Sequence, residues 1–379
     1  MTQGDRLFGT ISARRFLREY WQKRPLLVRA AIPGFRDPLG PREVLALAAH
    51  PDAQARLVQG RGAKWSLEQG PIAARTFARL PPRDWTVLVQ DTQHFSRAAQ
   101  ELLQRFSVIP HARVDDLMVS YAAPGGSVGP HVDSYDVFLL QGMGRRRWRI
   151  SRQADHAFRP GLPLKILRRF VPEEDWVLEP GDMLYLPPHI AHHGVAETQC
   201  LTWSIGFRAP SDAELAGAFL DDLADRVALD GRFGDPGLEP TRHAGRIPGD
   251  FLRHVAHTVD RIRWRRQDVA GFTGRYLTEP KAHVFFAPPT RPLTRARFLA
   301  AARAHGIALE GKSRLLFSGR MFFMNGESFT PGDAQAKWLR RLADARRLPT
   351  LAGAPAGIGA LAFDWYLRGY LRLREVDEA

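Results

Sequence analysis

The sequence predicts an α+β fold in which a strand-rich N-terminal half precedes helices and a short helix–hairpin–helix module. Three observations support this class. Short runs rich in β-branched and aromatic residues, separated by Pro and Gly, fill the first 208 residues. Apolar residues at three-to-four spacing follow as far as about residue 280. Beyond it, two helical patterns flank a predicted strand pair that contains an Asn325-Gly326 turn.

The first 208 residues contain one helical pattern and several strand patterns. SARRFLREYW is expected to form a helix, with Ser12 as its N-cap. Strands are predicted in LLVRA, WTVLVQ, DDLMVSYAA, DVFLLQ, RRRWRI, DMLYLP and CLTWSIGF. Many short strands separated by turn residues are typical of a β-sandwich or barrel.

Helical patterns dominate the middle of the chain. SDAELAGAFLDDLADRV has Ser211 at its start and acids in its first turn, and FLRHVAHTVDRIRW resembles it. Further on, the helical patterns ARFLAAARAHG and DAQAKWLRRLADARRL flank the hairpin SRLLFSGRMFFMNGESF, which suits a winged-helix-like domain. We therefore predict domains at residues 1–208, 209–280 and 281–379.

Length and composition indicate a globular protein. A chain of 379 residues suggests two or three domains at roughly 150 residues each. No run approaches the roughly 18 apolar residues of a membrane span, and the charged start MTQGDRLFGT does not resemble a signal peptide. We expect a cytoplasmic protein. The single Cys200 excludes an intramolecular disulfide and a thiolate metal site, so any metal must be held by nitrogen and oxygen.

The formal net charge is +14, carried mostly by arginine. Such a charge favours contact with nucleic acid or a ribonucleoprotein. It is also compatible with arginines that are simply scattered over a solvated surface. Both interpretations stay open at this point.

A metal site is predicted from GPHVDSYD and the later PPHIAHHG. If the chain is extended, His131 and Asp133 point to the same face. Two histidines and one carboxylate form the facial set that holds non-haem iron(II). The third ligand is expected among His189, His192 and His193. Zinc accepts the same ligand types, so only evidence for a cosubstrate distinguishes iron from zinc.

The arginine run RRRWRI bears on that cosubstrate. Strand alternation places Arg146 on the apolar face with Trp148 and Ile150. Burying an unpaired guanidinium is costly, so Arg146 must meet an anion, and a carboxylate matches its planar fork. A protein Asp or Glu could serve. Beside a metal, a small dicarboxylic cosubstrate is the better candidate.

The strand CLTWSIGF has one apolar face and one face of small residues. Thr202 and Ser204 lie on the second face with Cys200 and Gly206. Polar groups are tolerated in a polar pocket and costly in a dry core. We therefore expect the sheet to pack outward on its apolar side chains and to direct this second face to ligands.

Four segments together resemble a known family. YWQKRPLLVRA, PHVDSYDVFLLQGMGRRRW, LEPGDMLYLPPHIAHHG and TWSIGFRAP are similar to the JmjC-type 2-oxoglutarate oxygenases, and specifically to bacterial ribosomal oxygenases that hydroxylate an arginine. The resemblance covers most of the chain, and its motifs are specific in combination. It implies a double-stranded β-helix (the cupin or JmjC jelly roll) for residues 1–208, a dimerisation region for 209–280 and a winged-helix-like domain for 281–379.

The resemblance also implies roles for individual residues. The iron ligands would be His131, Asp133 and His192. The family pattern has a proline before the third ligand, where this chain has Ala191, and often an acid after it, where this chain has His193. The remaining implied contacts are Arg146 to the distal carboxylate of 2-oxoglutarate, Ser120 and Thr202 on the cosubstrate side, and Asp116, Met118, Tyr135 and Ser204 around a substrate arginine.

These contacts are chemically reasonable. A carboxylate can bind the guanidinium, while an aromatic ring and a thioether pack along the apolar stem of the substrate arginine. From the residues alone, the interpretation that Met118 and Tyr135 belong to the core is the favoured one. Thr202 stands where the family often has an asparagine.

The function implied by the resemblance is an Fe(II)- and 2-oxoglutarate-dependent hydroxylase. It would use O2 to hydroxylate an arginine of the sixteenth protein of the large ribosomal subunit, giving 3-hydroxyarginine, succinate and CO2. The expected partners are that ribosomal protein, a second copy of the chain and, through proximity, ribosomal RNA. Two alternatives remain: a related JmjC oxygenase acting on histidyl or methylated residues, and a non-enzymatic nucleic-acid-binding winged-helix protein with a vestigial barrel.

Overall fold

The chain forms two compact units in a computed structural model that describes residues 7–62 and 64–374. The first unit comprises the chain up to Ala209 together with Pro280–Arg314 and Asp333–Ala379. The second comprises Pro210–Glu279 and Leu315–Gly332. The three domain ranges expected from the sequence stay a prediction. No described helix is long and apolar enough to cross a membrane.

The N-terminal part of the first unit contains four helices and eleven strands among the described residues. The helices are α1 (Ala13–Glu19), α2 (Pro41–Ala48), α3 (Ala74–Phe77) and α4 (Arg97–Gln104). The strands are β1 (Leu26–Val28), β2 (Ala55–Arg61), β3 (Lys64–Gln69), β4 (Trp85–Val89), β5 (Val114–Ala122), β6 (Val137–Gln141), β7 (Arg146–Ser151), β8 (Glu174–Leu178), β9 (Met183–Leu186), β10 (Ala191–Ala196) and β11 (Cys200–Phe207).

All seven strands predicted for this region are present, and Ser12 caps α1 by accepting a hydrogen bond from the backbone N–H of Arg15 at 3.2 Å. The sequence patterns did not predict β2, β3, β8 and β10. The strands form two antiparallel sheets. The large one has the order β1-β9-β6-β11-β5-β4-β2-β3, and the small one has the order β10-β7-β8. This is the predicted double-stranded β-helix.

The two faces of the large sheet are covered differently. Its outer face packs on the N-terminal helices in one extensive apolar cluster that includes Phe16, Val44, Leu102, Trp203 and Phe207. A smaller apolar cluster joins the inner face of the large sheet to Trp148 and Ile150 of the small one. The alternation in CLTWSIGF is therefore confirmed, because its large apolar residues point outward and its small residues point inward.

The rest of the chain supplies six helices and six strands among the described residues. The helices are α5 (Asp212–Ala224), α6 (Gly249–Asp260), α7 (Arg266–Thr278), α8 (Arg295–His305), α9 (Asp333–Ala345) and α10 (Ala356–Leu367). The strands are β12 (Ile307–Leu309), β13 (Leu315–Ser318), β14 (Met321–Met324), β15 (Glu327–Phe329), β16 (Arg347–Leu348) and β17 (Leu371–Leu373). Ser211 caps α5 in a capping box with Glu214, as its sequence predicts.

The predicted strand pair near residue 320 is a three-stranded meander, β13-β14-β15. The prediction of two strands was wrong here because a second turn, at Gly319 with φ +58°, splits the apolar run SRLLFSGRMFF. The predicted turn at Asn325 and Gly326 is correct. Both residues have positive φ, as a tight hairpin turn of this kind requires.

Candidate active site

His131, Asp133 and His192 converge on one point of the barrel. Their ligand atoms all lie within 4.8 Å of one another. Asp133 Oδ2 is 3.9 Å from His131 Nε2 and 3.5 Å from His192 Nε2. Residues 131–133 do not form a regular strand. Instead, His131 makes an isolated antiparallel bridge with His192, with backbone hydrogen bonds of 3.0 and 2.9 Å in the two directions.

Strand alternation separates the late histidines. His192 lies on β10 with its side chain almost completely buried, at 3% exposure. His193 points to the other face of β10, where its register partner is Arg149 and its ring packs against Phe170. His189 precedes the strand in a left-handed turn, with φ +65°. Only His192 of the three therefore joins the cluster.

Both clustered imidazoles are oriented for metal binding through Nε2. His131 Nδ1 lies 3.0 Å from the carbonyl oxygen of Gly129, and His192 Nδ1 lies 2.9 Å from that of Ile190. A proton held on each Nδ1 by a carbonyl leaves the Nε2 lone pair for a metal. Burial, followed by the neighbouring His131, lowers the pKa of His192 to about 4, so this ring is neutral at physiological pH.

Arg146 lies on the inner face of β7, as the alternation predicts. The exposed fraction of this residue is 6%. Within the described part of the chain, its Nε and Nη2 are buried without a hydrogen-bond partner. Its guanidinium carbon lies 5.8 Å from the centre of the Trp148 ring. A buried cation that lacks an anionic partner indicates space for a ligand that carries one.

Pairing between β7 and β10 places Arg146 and His192 on the same face. His192 is opposite Ile150, Gly194 is opposite Trp148, and Ala196 is opposite Arg146. A Cβ added to Gly194 would lie 2.6 Å from the Trp148 ring. Glycine is therefore required here for the indole to lie flat against β10 beside the guanidinium.

Ser120 and Thr202 form a buried pair on the inner face of the large sheet. They are register partners on β5 and β11. Thr202 Oγ1 donates to Gln141 Oε1 at 3.1 Å. Ala122 and Cys200 lie on the same face, two positions further along their strands. They pack against Ala196, which is the register partner of Arg146. Ser120 and Thr202 therefore lie on the wall that faces the Arg146 end of β7.

The residues expected around a substrate arginine also line this inner face. Ser204 pairs with Met118 and Gly206 pairs with Asp116. A Cβ on Gly206 would lie 2.9 Å from Asp116 Oδ1 and 3.9 Å from the Tyr135 ring. The glycine thus makes room for the carboxylate and brings it close to the aromatic ring. Tyr135 is 40% exposed, which leaves its ring accessible at the mouth.

Asp116 is an unusual carboxyl group. Burial, and after it the carboxylates of Asp91 and Asp115, raise its pKa to about 7. Lys281 opposes this effect from a nearby position, 3.2 Å from Asp115 and 3.3 Å from Asp91. Arg208 Nε also lies 3.6 Å from Asp115 Oδ1, so the wall combines acidic side chains with cations that pair with Asp91 and Asp115.

Sequence patterns missed four residues of this wall. Asp91 is buried in a left-handed turn and is bound by Lys281 and His283, which lie about 190 positions away in the chain. Arg56 on β2 approaches Met118, with Nη2 3.9 Å from Sδ. No local sequence signal links these residues, since the contacts depend on tertiary structure.

The described residues fit an iron ion and a 2-oxoglutarate molecule. Two neutral imidazoles and one carboxylate supply a facial donor set and leave positions for other ligands. The unsatisfied guanidinium of Arg146 supplies the partner for a second carboxylate. The ligand and contact roles of these residues stay predictions.

Comparison with known families defines the class of protein. The JmjC domain family matches residues 101–215, and the ROXA-like winged helix family matches residues 261–372. The predicted jelly roll and winged-helix domain are thus confirmed. The molecule is a JmjC-type protein with a C-terminal winged helix.

Individual relatives narrow this class. The ribosomal protein uL16 3-hydroxylase of Escherichia coli is 32% identical over 82% of this chain and 84% of its own. A probable ribosomal oxygenase of Haemophilus influenzae is 41% identical over 59% of this chain and 54% of its own. The structure of the E. coli ribosomal oxygenase YcfD in complex with cobalt and 2-oxoglutarate superposes with a TM-score of 0.80 at 30% identity, covering 97% of this chain and 99% of that one. The chain belongs to the JmjC-type ribosomal oxygenases.

Proposed function

We propose that the protein is an Fe(II)- and 2-oxoglutarate-dependent oxygenase that hydroxylates an arginine of ribosomal protein uL16. The observation that carries the oxygenase assignment is the pairing of the His131, Asp133 and His192 cluster with the unsatisfied guanidinium of Arg146 on one inner face. The substrate is proposed from the E. coli relative, which is named for uL16 3-hydroxylation.

The chain's own residues would bind the iron, orient 2-oxoglutarate and exclude water from the site. His131, Asp133 and His192 would hold the iron, and Arg146 would hold the far carboxylate of 2-oxoglutarate. With O2, the bound iron and 2-oxoglutarate supply the chemistry that converts a C–H bond to C–OH and yields succinate and CO2. Trp148 and the apolar residues between the two sheets keep water from the cosubstrate.

We further propose that Asp116, Met118, Tyr135 and Ser204 position the substrate arginine. Asp116 in its ionised form would accept hydrogen bonds from the guanidinium, and the Tyr135 ring and Met118 thioether would pack along the stem. Ser204, on the same inner face, would supply a small polar contact. Positioning of this kind directs oxidation to one carbon of the side chain.

The test is a peptide hydroxylation assay. The purified protein is incubated with iron(II), 2-oxoglutarate and uL16 peptides that each contain one arginine. We expect a 16-dalton mass gain on an arginine, from insertion of one oxygen atom, with equal release of succinate. Asp133→Ala should abolish both, whereas Asp175→Ala on the outer face of the small sheet should retain them.

Other outcomes separate the alternatives. Succinate release without a gain on any arginine peptide would reject the substrate while keeping the oxygenase. A gain on histidine would favour a histidyl hydroxylase, the activity named for a shorter match in Dictyostelium discoideum that is 37% identical over 34% of this chain. RNA or DNA binding without any 2-oxoglutarate turnover would favour the non-enzymatic alternative.

The helical region is proposed to form a homodimer. Helix α6 exposes an apolar stripe of Phe251, Leu252, Val255 and Val259, each between 42% and 58% exposed. Contiguous exposed apolar residues mark protein interfaces, and a second copy of the chain is the most common partner. We therefore propose residues 209–280 as the dimerisation domain, which follows the barrel domain and precedes the winged-helix domain in the sequence.

We also propose that the protein acts in the cytoplasm, because ribosomes are found there.

Light scattering after gel filtration tests the dimer. Wild-type protein should elute as a dimer, and Val255→Glu should give a monomer. Val171→Glu, at an equally exposed position outside the helical region, is the matched control and should remain dimeric. A monomeric wild-type protein would contradict the proposal.

A further inference from the structure

A strongly basic groove lies in the first unit, away from the proposed active site. It encloses about 540 Å³ and is formed by α4, β16 and β17 with their adjoining residues. Its arginines are Arg97, Arg105, Arg346, Arg347, Arg372 and Arg374. Among the described residues, its lining contains two acidic side chains, Glu101 and Asp344. We call this surface the arginine groove.

One of these arginines is fixed by the fold. Arg346 Nη2 donates to the carbonyl oxygens of Glu310 and Ser313, both at 2.9 Å. Burial lowers the pKa of Arg346 to about 10, and the Glu310 carboxylate acts in the opposite direction. The group therefore stays protonated at neutral pH and contributes a permanent positive charge to the groove.

Two further arginines present exposed side chains from different elements. Arg105 follows the C-terminal end of α4, and Arg347 lies on β16. A guanidinium fork matches two phosphate oxygens, which makes arginine well suited to phosphate groups. Gln100, Gln104 and Ser107 line the same groove. Amide and hydroxyl groups at these positions provide neutral hydrogen bonds for phosphate or ribose oxygens.

We propose that the arginine groove binds the phosphate backbone of RNA. Its excess of arginine over acid is complementary to a polyanion, and RNA offers a closely spaced row of phosphates that an acidic protein surface does not. The choice of RNA over other polyanions rests on the proposed function, because a ribosomal substrate is presented beside ribosomal RNA. Contact with RNA would also offset the long-range repulsion between a chain of charge +14 and a basic ribosomal protein.

The test measures binding of a fluorescein-labelled single-stranded RNA oligonucleotide by anisotropy over a series of KCl concentrations. The full-length double variant Arg105→Glu/Arg347→Glu should bind the RNA at least about tenfold more weakly than wild type. The slope of log K against log [KCl] should correspond to about two fewer released counterions. The control is Arg75→Glu/Arg79→Glu, which changes two exposed arginines outside the groove by the same net charge. It should stay within about threefold of wild type, as expected for a general charge effect alone.

Several results would overturn the proposal. They are equal weakening by both double variants, absence of RNA binding at low salt, tighter binding of the matching DNA oligonucleotide, or equal displacement of the RNA by polyglutamate. Hydroxylation of a free uL16 peptide should be the same in wild type and in the groove variant, which verifies the fold. If wild-type protein did not hydroxylate the peptide, the proposed function would be rejected. Failure of the RNA proposal and failure of the proposed function therefore give different results.

Discussion

Two buried charged groups of the barrel, Asp136 and Arg146, have opposite hydrogen-bonding states. Asp136 lies at the outer core and accepts hydrogen bonds from Tyr185 Oη at 2.6 Å, Gln22 Nε2 at 2.9 Å and Arg113 Nη2 at 3.4 Å. Arg146 lies between the sheets, and two of its nitrogens lack any partner within the described chain. A fully bonded buried charge serves the fold, whereas a buried charge without partners is prepared for a ligand.

The largest expected effect tests the first half of this comparison. Asp136→Ala should lower the free energy of unfolding by about 3–5 kcal/mol, because Arg113 and Tyr185 would lose a buried anionic partner. Urea denaturation followed by tryptophan fluorescence measures the change. Affinity of the remaining folded protein for 2-oxoglutarate should be unchanged, and a selective loss of that affinity would break the comparison.

The second prediction concerns the ligand side. Arg146→Met should weaken 2-oxoglutarate binding about 100-fold, since two charge-assisted hydrogen bonds contribute about 3 kcal/mol together. The free energy of unfolding should not fall, because the variant removes a buried cation that has no protein partner. Titration with 2-oxoglutarate in the presence of Mn(II) measures the affinity.

Arg147→Met provides the matched control for this variant. Arg147 belongs to the same strand, but it points outward and pairs with Asp175 and Glu197. Its replacement should leave cosubstrate affinity unchanged. If both variants lowered the affinity equally, the distinction between the two faces of β7 would be lost.

A smaller effect is expected from replacing Asp116, a buried carboxyl group that is only partly ionised at neutral pH. Its pKa is raised from 3.8 to about 7, so ionisation destabilises the folded state progressively as pH rises through this interval. Asp116→Asn should therefore stabilise the protein at pH 8 and have little effect near pH 4. Thermal unfolding at the two pH values measures this. The same variant should raise the KM for an arginine peptide, and a variant with normal KM would exclude Asp116 from the substrate pocket.

The smallest expected effect concerns Lys281, which holds the pKa of Asp116 below the value that burial and its acidic neighbours would otherwise give it. In wild-type protein, kcat/KM for an arginine peptide should fall as pH drops below about 7, as Asp116 gains a proton. Lys281→Met should shift this acidic limb upward by less than about one pH unit. Lys281→Arg keeps the charge and should restore the wild-type profile, which a purely structural role of the lysine would not predict.

Local patterns predicted much of the barrel and of the candidate site. The period-two alternation of RRRWRI placed Arg146 inward, and the spacing of His131 and Asp133 placed them together. These features depend on neighbouring residues along one strand or turn. The choice of His192, by contrast, came from family resemblance, and alternation along β10 explains it only once that strand is known.

The strands that the sequence did not predict have physical reasons for weak patterns. β3 is largely exposed at the edge of its sheet, so it lacks a continuous apolar face. β10 contains two histidines and a glycine, residues that do not favour strands, and it is held by its six-residue ladder with β7. Contacts such as Lys281 with Asp91 join distant parts of the chain, and a single sequence contains no signal for them.

The ladder between β7 and β10 also determines a length. Four residue steps along β10 lead from His192 to Ala196, the partner of Arg146, which corresponds to about 13 Å of extended backbone. The pairing of β7 with β10 thus fixes the distance between His192 and the residue that carries the guanidinium, Arg146. With the roles proposed for His192 and Arg146, this separation would favour a diacid of one chain length over shorter and longer ones.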